Sequence, residues 1–296
     1  MGNCCVSYTV NVGGRLLDLS SPCVMGILNV TPDSFYTSIS PTSPTFADAV
    51  SKQVHTMLEE GAQMIDLGGC STRPNGELAD EATERQRLET ALDIIHKTCP
   101  DCILSVDTFR PAIAEWCIKE QGVHIINDIS GGCDKMYDLV SRHGTPYILT
   151  FNEPRHDAVD ICQQALLFFA DKVQQLRDRG AKDIILDPGF GFNKTLDENY
   201  ELLENMENLQ ILELPLLIGV SHKSMIYKLL NTTPETTLNG TTVLHTIAIE
   251  KGANILRVHE VKEAIECIKI VNKAHKTHES HESHETYESY ESYETY

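Results

Sequence analysis

Basic residues are scarce in this chain, and so are aromatic ones: 24 Lys and Arg stand against 43 Asp and Glu, and Phe, Trp and Tyr together make 6% with a single Trp. The formal net charge of −19 argues against nucleic acid, because a surface that acidic repels phosphate backbones. Any bound anion must then be drawn by a local cluster of Arg, Lys and His. No apolar run approaches the roughly 18 residues that span a bilayer, so no membrane partner is expected. No secretory signal opens the sequence, and the ten cysteines are therefore expected reduced, in a cytoplasmic protein. Cys99-Pro-Asp-Cys102 has redox or zinc spacing but lacks a second ligand pair, and reads as an incidental loop. Met1-Gly2-Asn3-Cys4-Cys5 lacks the Ser or Thr that a myristoylation pattern wants, which leaves 1–7 as a flexible N-terminus.

What is present is a device used repeatedly. Short, wholly apolar runs end in a polar residue able to do chemistry, as in Met25-Gly-Ile-Leu-Asn29. Fully buried parallel strands read as such continuous runs. They fall at 23–30, 63–69, 102–108, 123–129, 146–151, 183–189, 215–221 and 254–260, with helical patterning between them, for example at 46–60, 80–97, 111–121, 160–179 and 261–273. Strict alternation over a span close to the usual 250 or so residues predicts an α/β fold, a (β/α)8 TIM barrel occupying 8–274. A doubly wound sheet would carry a Gly-rich dinucleotide turn after its first strand, and none is present. Ahead of the first strand, 8–12 and 15–19 flank Gly13-Gly14, a dipeptide suited to a tight hairpin that would plug the barrel bottom. From His275 to Tyr296 a three-residue His/Tyr-Glu-Ser/Thr repeat has no packing period and is expected to be a disordered acidic tail.

The strand ends carry the candidate chemistry. Asn29 precedes a long loop, 31–45, that holds Asp33 and Phe35 and has the length of a lid. Gly68-Gly69-Cys70-Ser71-Thr72-Arg73 allows close backbone approach and supplies an arginine. Asp107 and Asn127 end adjacent strands, where buried polar groups can match a flat heterocycle with amide and amino edges. Asp187 opens a glycine-rich turn with Phe192; the seventh strand ends in Ser221-His222-Lys223-Ser224 and the eighth in Arg257-Val258-His259. No Ser-His-Asp or Cys-His arrangement accompanies them.

Taken in order, NVTPDSF, GGxSTRP, SVDT, IND, DPGFGFxKT, SxKS and RVH closely resemble the dihydropteroate synthase family over roughly 8–273. The resemblance implies a (β/α)8 barrel and a transferase of folate biosynthesis. Such an enzyme condenses 6-hydroxymethyl-7,8-dihydropterin pyrophosphate with p-aminobenzoate, with Mg2+ assisting. Carried across residue by residue, it implies that Asp107, Asn127, Asp187 and Lys223 hold the pterin. Asn29, Arg73, Arg257 and His259 would meet the pyrophosphate, with Asn29 on the Mg2+. Thr72, Phe192, Ser224 and Phe35 would shape the p-aminobenzoate site. Lys223, Asp107 and Arg257 would carry the catalysis. The resemblance also implies a homodimer and inhibition by sulfonamides.

The chain departs from the family pattern where His222 replaces arginine, where Glu260 replaces aspartate, where Cys70 replaces glutamate, and at the fifth strand end. There Leu149-Thr150-Phe151-Asn152-Glu153-Pro154 stands instead of a Met-His-Met segment that backs the pterin pocket. Whether His222 helps hold an anion or points to solvent is open at this level. The alternatives are a weakly active pterin-binding paralogue and a methyltetrahydrofolate-corrinoid methyltransferase, whose pattern lacks NVTPDSF and SxKS. A purely structural scaffold would have no use for polar residues at so many strand ends.

Overall fold

The computed structural model describes residues 8–31, 44–70, 78–156 and 159–288. The chain opens with an antiparallel hairpin, β1 (Thr9–Val12) and β2 (Arg15–Asp18). Its turn is Gly13-Gly14, with φ of +61° and +88°, values that L side chains adopt only with strain.

Eight parallel strands follow: β3 (Cys23–Asn29), β4 (Met64–Gly68), β5 (Leu104–Asp107), β6 (Ile125–Asp128), β7 (Tyr147–Thr150), β8 (Ile184–Asp187), β9 (Leu217–Ile218) and β10 (Ile255–Val258). They hydrogen-bond in the order β8-β7-β6-β5-β4-β3-β10-β9, and a parallel bridge from Leu186 to Leu216 brings the two ends together. All eight expected strands are present.

Between them run α1 (Pro44–Glu59), α2 (Glu81–Thr98), α3 (Pro111–Glu120), α4 (Asp134–His143), α5 (Ile161–Asp178), α6 (Leu196–Glu204), α7 (Ser224–Leu229) and α8 (Leu238–Glu250), and α9 (Val261–Glu288) closes the series. Asp80 and Asp160, expected inside helices, cap them instead. Each carboxylate accepts at 2.8 Å from a backbone N–H three residues on, Thr83 and Gln163 respectively.

Period-two alternation divides each strand between two cores. Outward residues such as Leu28, Leu67, Val106, Ile126, Leu149, Leu186 and Leu256 pack against the helices. Inward residues near the strand starts, Met25, Met64, Ile125, Ile148, Ile185, Leu217 and Ile255, form a second apolar cluster with Val10, Val12, Leu17 and Leu19 of the hairpin. The hairpin therefore plugs the N-terminal end of the barrel, as expected, and leaves the opposite end as the mouth.

One boundary differs from expectation. Helical geometry continues past His275 to Glu288, since no Gly or Pro follows Val261 to break it; 289–296 lie outside the described residues. The 1–7 segment, the 32–43 part of the first loop and 71–77 also lie outside them, so Phe35, Thr72 and Arg73 receive no position.

Candidate active site

One step above the plug, the barrel interior turns from apolar to charged. Asp66 of β4 is wholly buried and accepts three hydrogen bonds, from Ser105 Oγ at 2.6 Å, Asn127 Nδ2 at 2.9 Å and Arg257 Nε at 2.7 Å. Arg257 Nη2 also donates to Asp107 Oδ2 at 2.9 Å. A guanidinium in this position would be costly without partners. Burial works against its charge, but Asp66 and Asp107 outweigh it and raise its pKa above the ordinary arginine value. The strand ends of β4, β5, β6 and β10 are thus tied into one network.

Asp66 was not among the residues singled out from the sequence. Its signal was a lone carboxylate inside the otherwise apolar run Met64–Gly68, where burial without partners is prohibitive.

The second half of the mouth is built by the β8 turn. Asp187 accepts from Gly189 N at 2.8 Å. Gly189 has φ +70°, and a Cβ there would come within 2.1 Å of Phe151 O. A Cβ on Gly191, at φ +82°, would strike Lys223 Cδ at 2.9 Å. The two glycines let the turn fold beneath Lys223, whose ammonium sits 4.2 Å from the centre of the Phe192 ring. Lys194, also unassigned from the sequence, braces this turn by donating to Phe151 O, Gly189 O and Phe192 O at 2.9–3.2 Å.

The site's electrostatics follow from burial. Desolvation pushes Asp107 up to about 7 against the pull of Arg257, and raises Asp187 although the Gly189 N–H and Lys223 oppose it. It pushes Lys223 and Lys194 down to about 8, with Asp187 pulling both back. Charge at this mouth is therefore responsive to ligand and to pH near neutrality.

Asn29 ends β3 beside Gly68, and a Cβ on Gly68 would come within 2.6 Å of Asn29 Oδ1. The glycine makes room for the carboxamide. After β5, Arg110 donates to Ala79 O at 2.6 Å and pairs with the fully buried Glu84, which also accepts from Thr108 Oγ1 at 2.7 Å. Arg87 donates to Gly69 O at 3.1 Å. Ser224 begins α7 immediately after Lys223.

His222 does not extend into solvent; its ring is held by protein groups. Its ring is largely covered: Nδ1 meets Pro234 O at 2.8 Å and Thr237 Oγ1 at 2.7 Å, and Nε2 meets Glu260 Oε1 at 2.7 Å. Both ring nitrogens are engaged by oxygen atoms of the protein. The shorter base and the longer acid, the two departures at 222 and 260, meet each other. His259 lies alongside, its ring centre 5.7 Å from that of His222.

Comparison with known proteins identifies the family. Residues 25–259 match the model of the family described as pterin binding enzyme. Dihydropteroate synthase of Escherichia coli K12 is 40% identical over 262 residues, which cover 84% of this chain and 90% of that protein. The Bacillus subtilis dihydropteroate synthase is 36% identical, covering 81% and 84%. Among solved structures, Yersinia pestis dihydropteroate synthase in a sulfonamide drug complex superposes with a TM-score of 0.82 at 35% identity, covering 91% of this chain and all of that one. The Xanthomonas albilineans enzyme with 4-aminobenzoic acid gives 0.82 at 30%, covering 91% and 98%. The chain belongs to the dihydropteroate synthase family of pterin-binding enzymes.

Proposed function

We infer that the mouth condenses 6-hydroxymethyl-7,8-dihydropterin pyrophosphate with p-aminobenzoate to give 7,8-dihydropteroate and pyrophosphate, an aryl-amine alkylation within the transferases. The observation that carries this reading is the convergence of Asp107, Asn127, Asp187, Lys223 and Arg257 at one buried mouth, with Asp66 at its centre.

The chemistry needs little more than placement and charge. The amine nitrogen of p-aminobenzoate attacks the pterin methylene carbon as the bond to the pyrophosphate oxygen breaks, and the amine then releases a proton. An aromatic amine needs positioning more than deprotonation. Arg257, held rigid by Asp66, meets the growing charge on the leaving group, and His259 and Arg73 are the further residues that the family resemblance assigns to it. Asp107 and Asp187 accept ring N–H groups and favour positive charge on the pterin. Lys223, resting on Phe192, donates to the ring from the opposite side.

Mg2+ fits as an assistant to the pyrophosphate. Among the described residues no cluster of three or more His, Cys, Asp or Glu could hold a metal alone. Asn29 offers one hard carboxamide oxygen at the strand end, and Mg2+ commonly binds through one or two protein oxygens plus phosphate and water. Bound there, it would neutralise charge on the leaving group.

A homodimer is the proposed assembly. Leu229, Leu230, Leu238 and Val243 are solvent-facing in the protomer, and Gly240 brings α8 against Ile226 and Leu230. No described helix is long and apolar enough to cross a membrane, which is consistent with the cytoplasmic setting proposed.

The test is pyrophosphate release and pteroate formation from the two purified substrates with Mg2+. The expected result is turnover that needs all three and is competed by a sulfonamide. Release that stays at background would overturn the reading.

A further inference from the structure

Two fully buried polar atoms on neighbouring strands at the floor of the mouth have no hydrogen-bond partner among the described residues: Asn127 Oδ1 and Thr150 Oγ1. The alternation of β7 sets the direction of Thr150. Ile148, two residues earlier, joins the plug cluster inside the barrel, whereas Leu149 and Phe151 face the helices, with Phe151 packed 5.3 Å from Phe168 of α5 between ring centres. Thr150 therefore points inward. Strand register puts it directly beside Asp187, and one step above the Asn127–Ile148 pair, so it stands between two residues assigned to the pterin.

Its conformation is also constrained. The Cγ2 methyl lies 3.1 Å from where a Cβ on Gly189 would sit, and a β-branched side chain has few rotamers to choose from. With the methyl against the β8 turn, the hydroxyl is directed away from that turn.

Most of its neighbours in this layer are matched. Asp66 is shared among Ser105, Asn127 Nδ2 and Arg257, and Asp187 holds the Gly189 N–H. Because Nδ2 of Asn127 is committed to Asp66, its Oδ1 remains as a pure acceptor. Thr150 adds a hydroxyl able to donate or accept. Buried polar groups in native proteins are almost always paired, so two unmet ones on adjacent strands of the site point to a ligand edge that meets them.

We propose that Thr150 is a specificity-determining residue of the pterin pocket, its hydroxyl hydrogen-bonding a polar atom of the pterin ring beside the acceptor offered by Asn127. The proposal rests on the pterin reading above. It assigns a direct polar contact to the strand end at which the chain departs from the family's Met-His-Met segment. A bicyclic heterocycle with a nitrogen or carbonyl at that edge is selected over one carrying C–H there.

The test uses 6-hydroxymethylpterin titrated calorimetrically into the full-length protein. Thr150→Val keeps the shape and removes the hydroxyl; Thr150→Ser keeps the hydroxyl. The valine variant should bind about three- to tenfold more weakly, the size of one lost neutral hydrogen bond, and the serine variant should stay within about twofold of wild type. The KM for p-aminobenzoate should not move in either.

Melting supplies a second readout that a purely structural role would not give. Without ligand, Thr150→Val should melt at the wild-type temperature or above it, because an unpartnered hydroxyl has become a methyl. Its rise on adding the pterin should nevertheless be smaller. Wild-type affinity in the valine variant overturns the proposal, as does a ligand-free valine variant that melts below wild type. Failure of the wild-type protein itself to bind the pterin would overturn the underlying pterin reading.

Discussion

The lower and upper layers of the barrel interior are built by the same strands two residues apart, yet they have opposite chemistry. Met64, Ile125, Ile148, Ile185 and Ile255 close on the hairpin as a dry apolar plug; Asp66, Asn127, Thr150, Asp187 and Arg257 stand one step further along the same faces. The plug gains by removing hydrocarbon from water, and its side chains are interchangeable in kind if volume is kept. The upper layer gains only where every charge has a partner of matching geometry. A strand in this barrel therefore delivers stability at its start and function at its end, which is the division expected between the two faces of a TIM barrel.

The strongest way to break this comparison is to remove the hub of the upper layer. Asp66→Ala leaves Arg257, Asn127 and Ser105 without their shared acceptor, and should cost about 3–5 kcal/mol of stability together with pterin binding. Ile185→Ala in the plug should cost a similar amount, about 2–5 kcal/mol, yet leave pterin affinity near wild type. Urea denaturation and pterin calorimetry on both variants separate the layers. If Ile185→Ala lost pterin binding as fully as Asp66→Ala, the division would fail.

A smaller effect should appear in Asp107→Asn, which removes one charged hydrogen-bond partner and should weaken pterin binding by about 1.5–3 kcal/mol. The same variant tests the electrostatics. Asp107 titrates at about 7 in the fold, above its ordinary 3.8, so between these values the folded state holds the extra proton. This group's contribution is then fully present below the lower value and is lost as pH rises through the upper one. Ligand-free wild type should lose melting temperature across that window, and Asp107→Asn should lose less. Parallel profiles would show that Arg257 keeps Asp107 ionised throughout.

The smallest expected effect lies outside both layers. Deleting 275–296 removes a segment with no apolar period, and should leave turnover and melting temperature nearly unchanged. A clear fall in either would mean that this end of α9 contributes to the barrel.

The sequence by itself determined the architecture and most of the mouth. Apolar runs terminating in Asn29, Asp107, Asn127, Asp187 and Arg257 mark buried strands and their functional ends, because a parallel strand covered on both faces tolerates polarity only where it emerges. It also determined the hairpin turn, since Gly13-Gly14 meets a backbone requirement that is local.

Tertiary structure alone decided who meets whom. Asp66 became the hub only when closure of the sheet brought Arg257 of β10 across to it, a contact between residues far apart in the chain. His222 and Glu260, two separate departures from the family pattern, proved to be one pair. Thr150 acquired its interest from lacking a partner among the described residues. Hydrogen bonds act over about 3 Å with strict direction, so periodicity shows which face a side chain takes, but only the closed barrel shows what awaits it there.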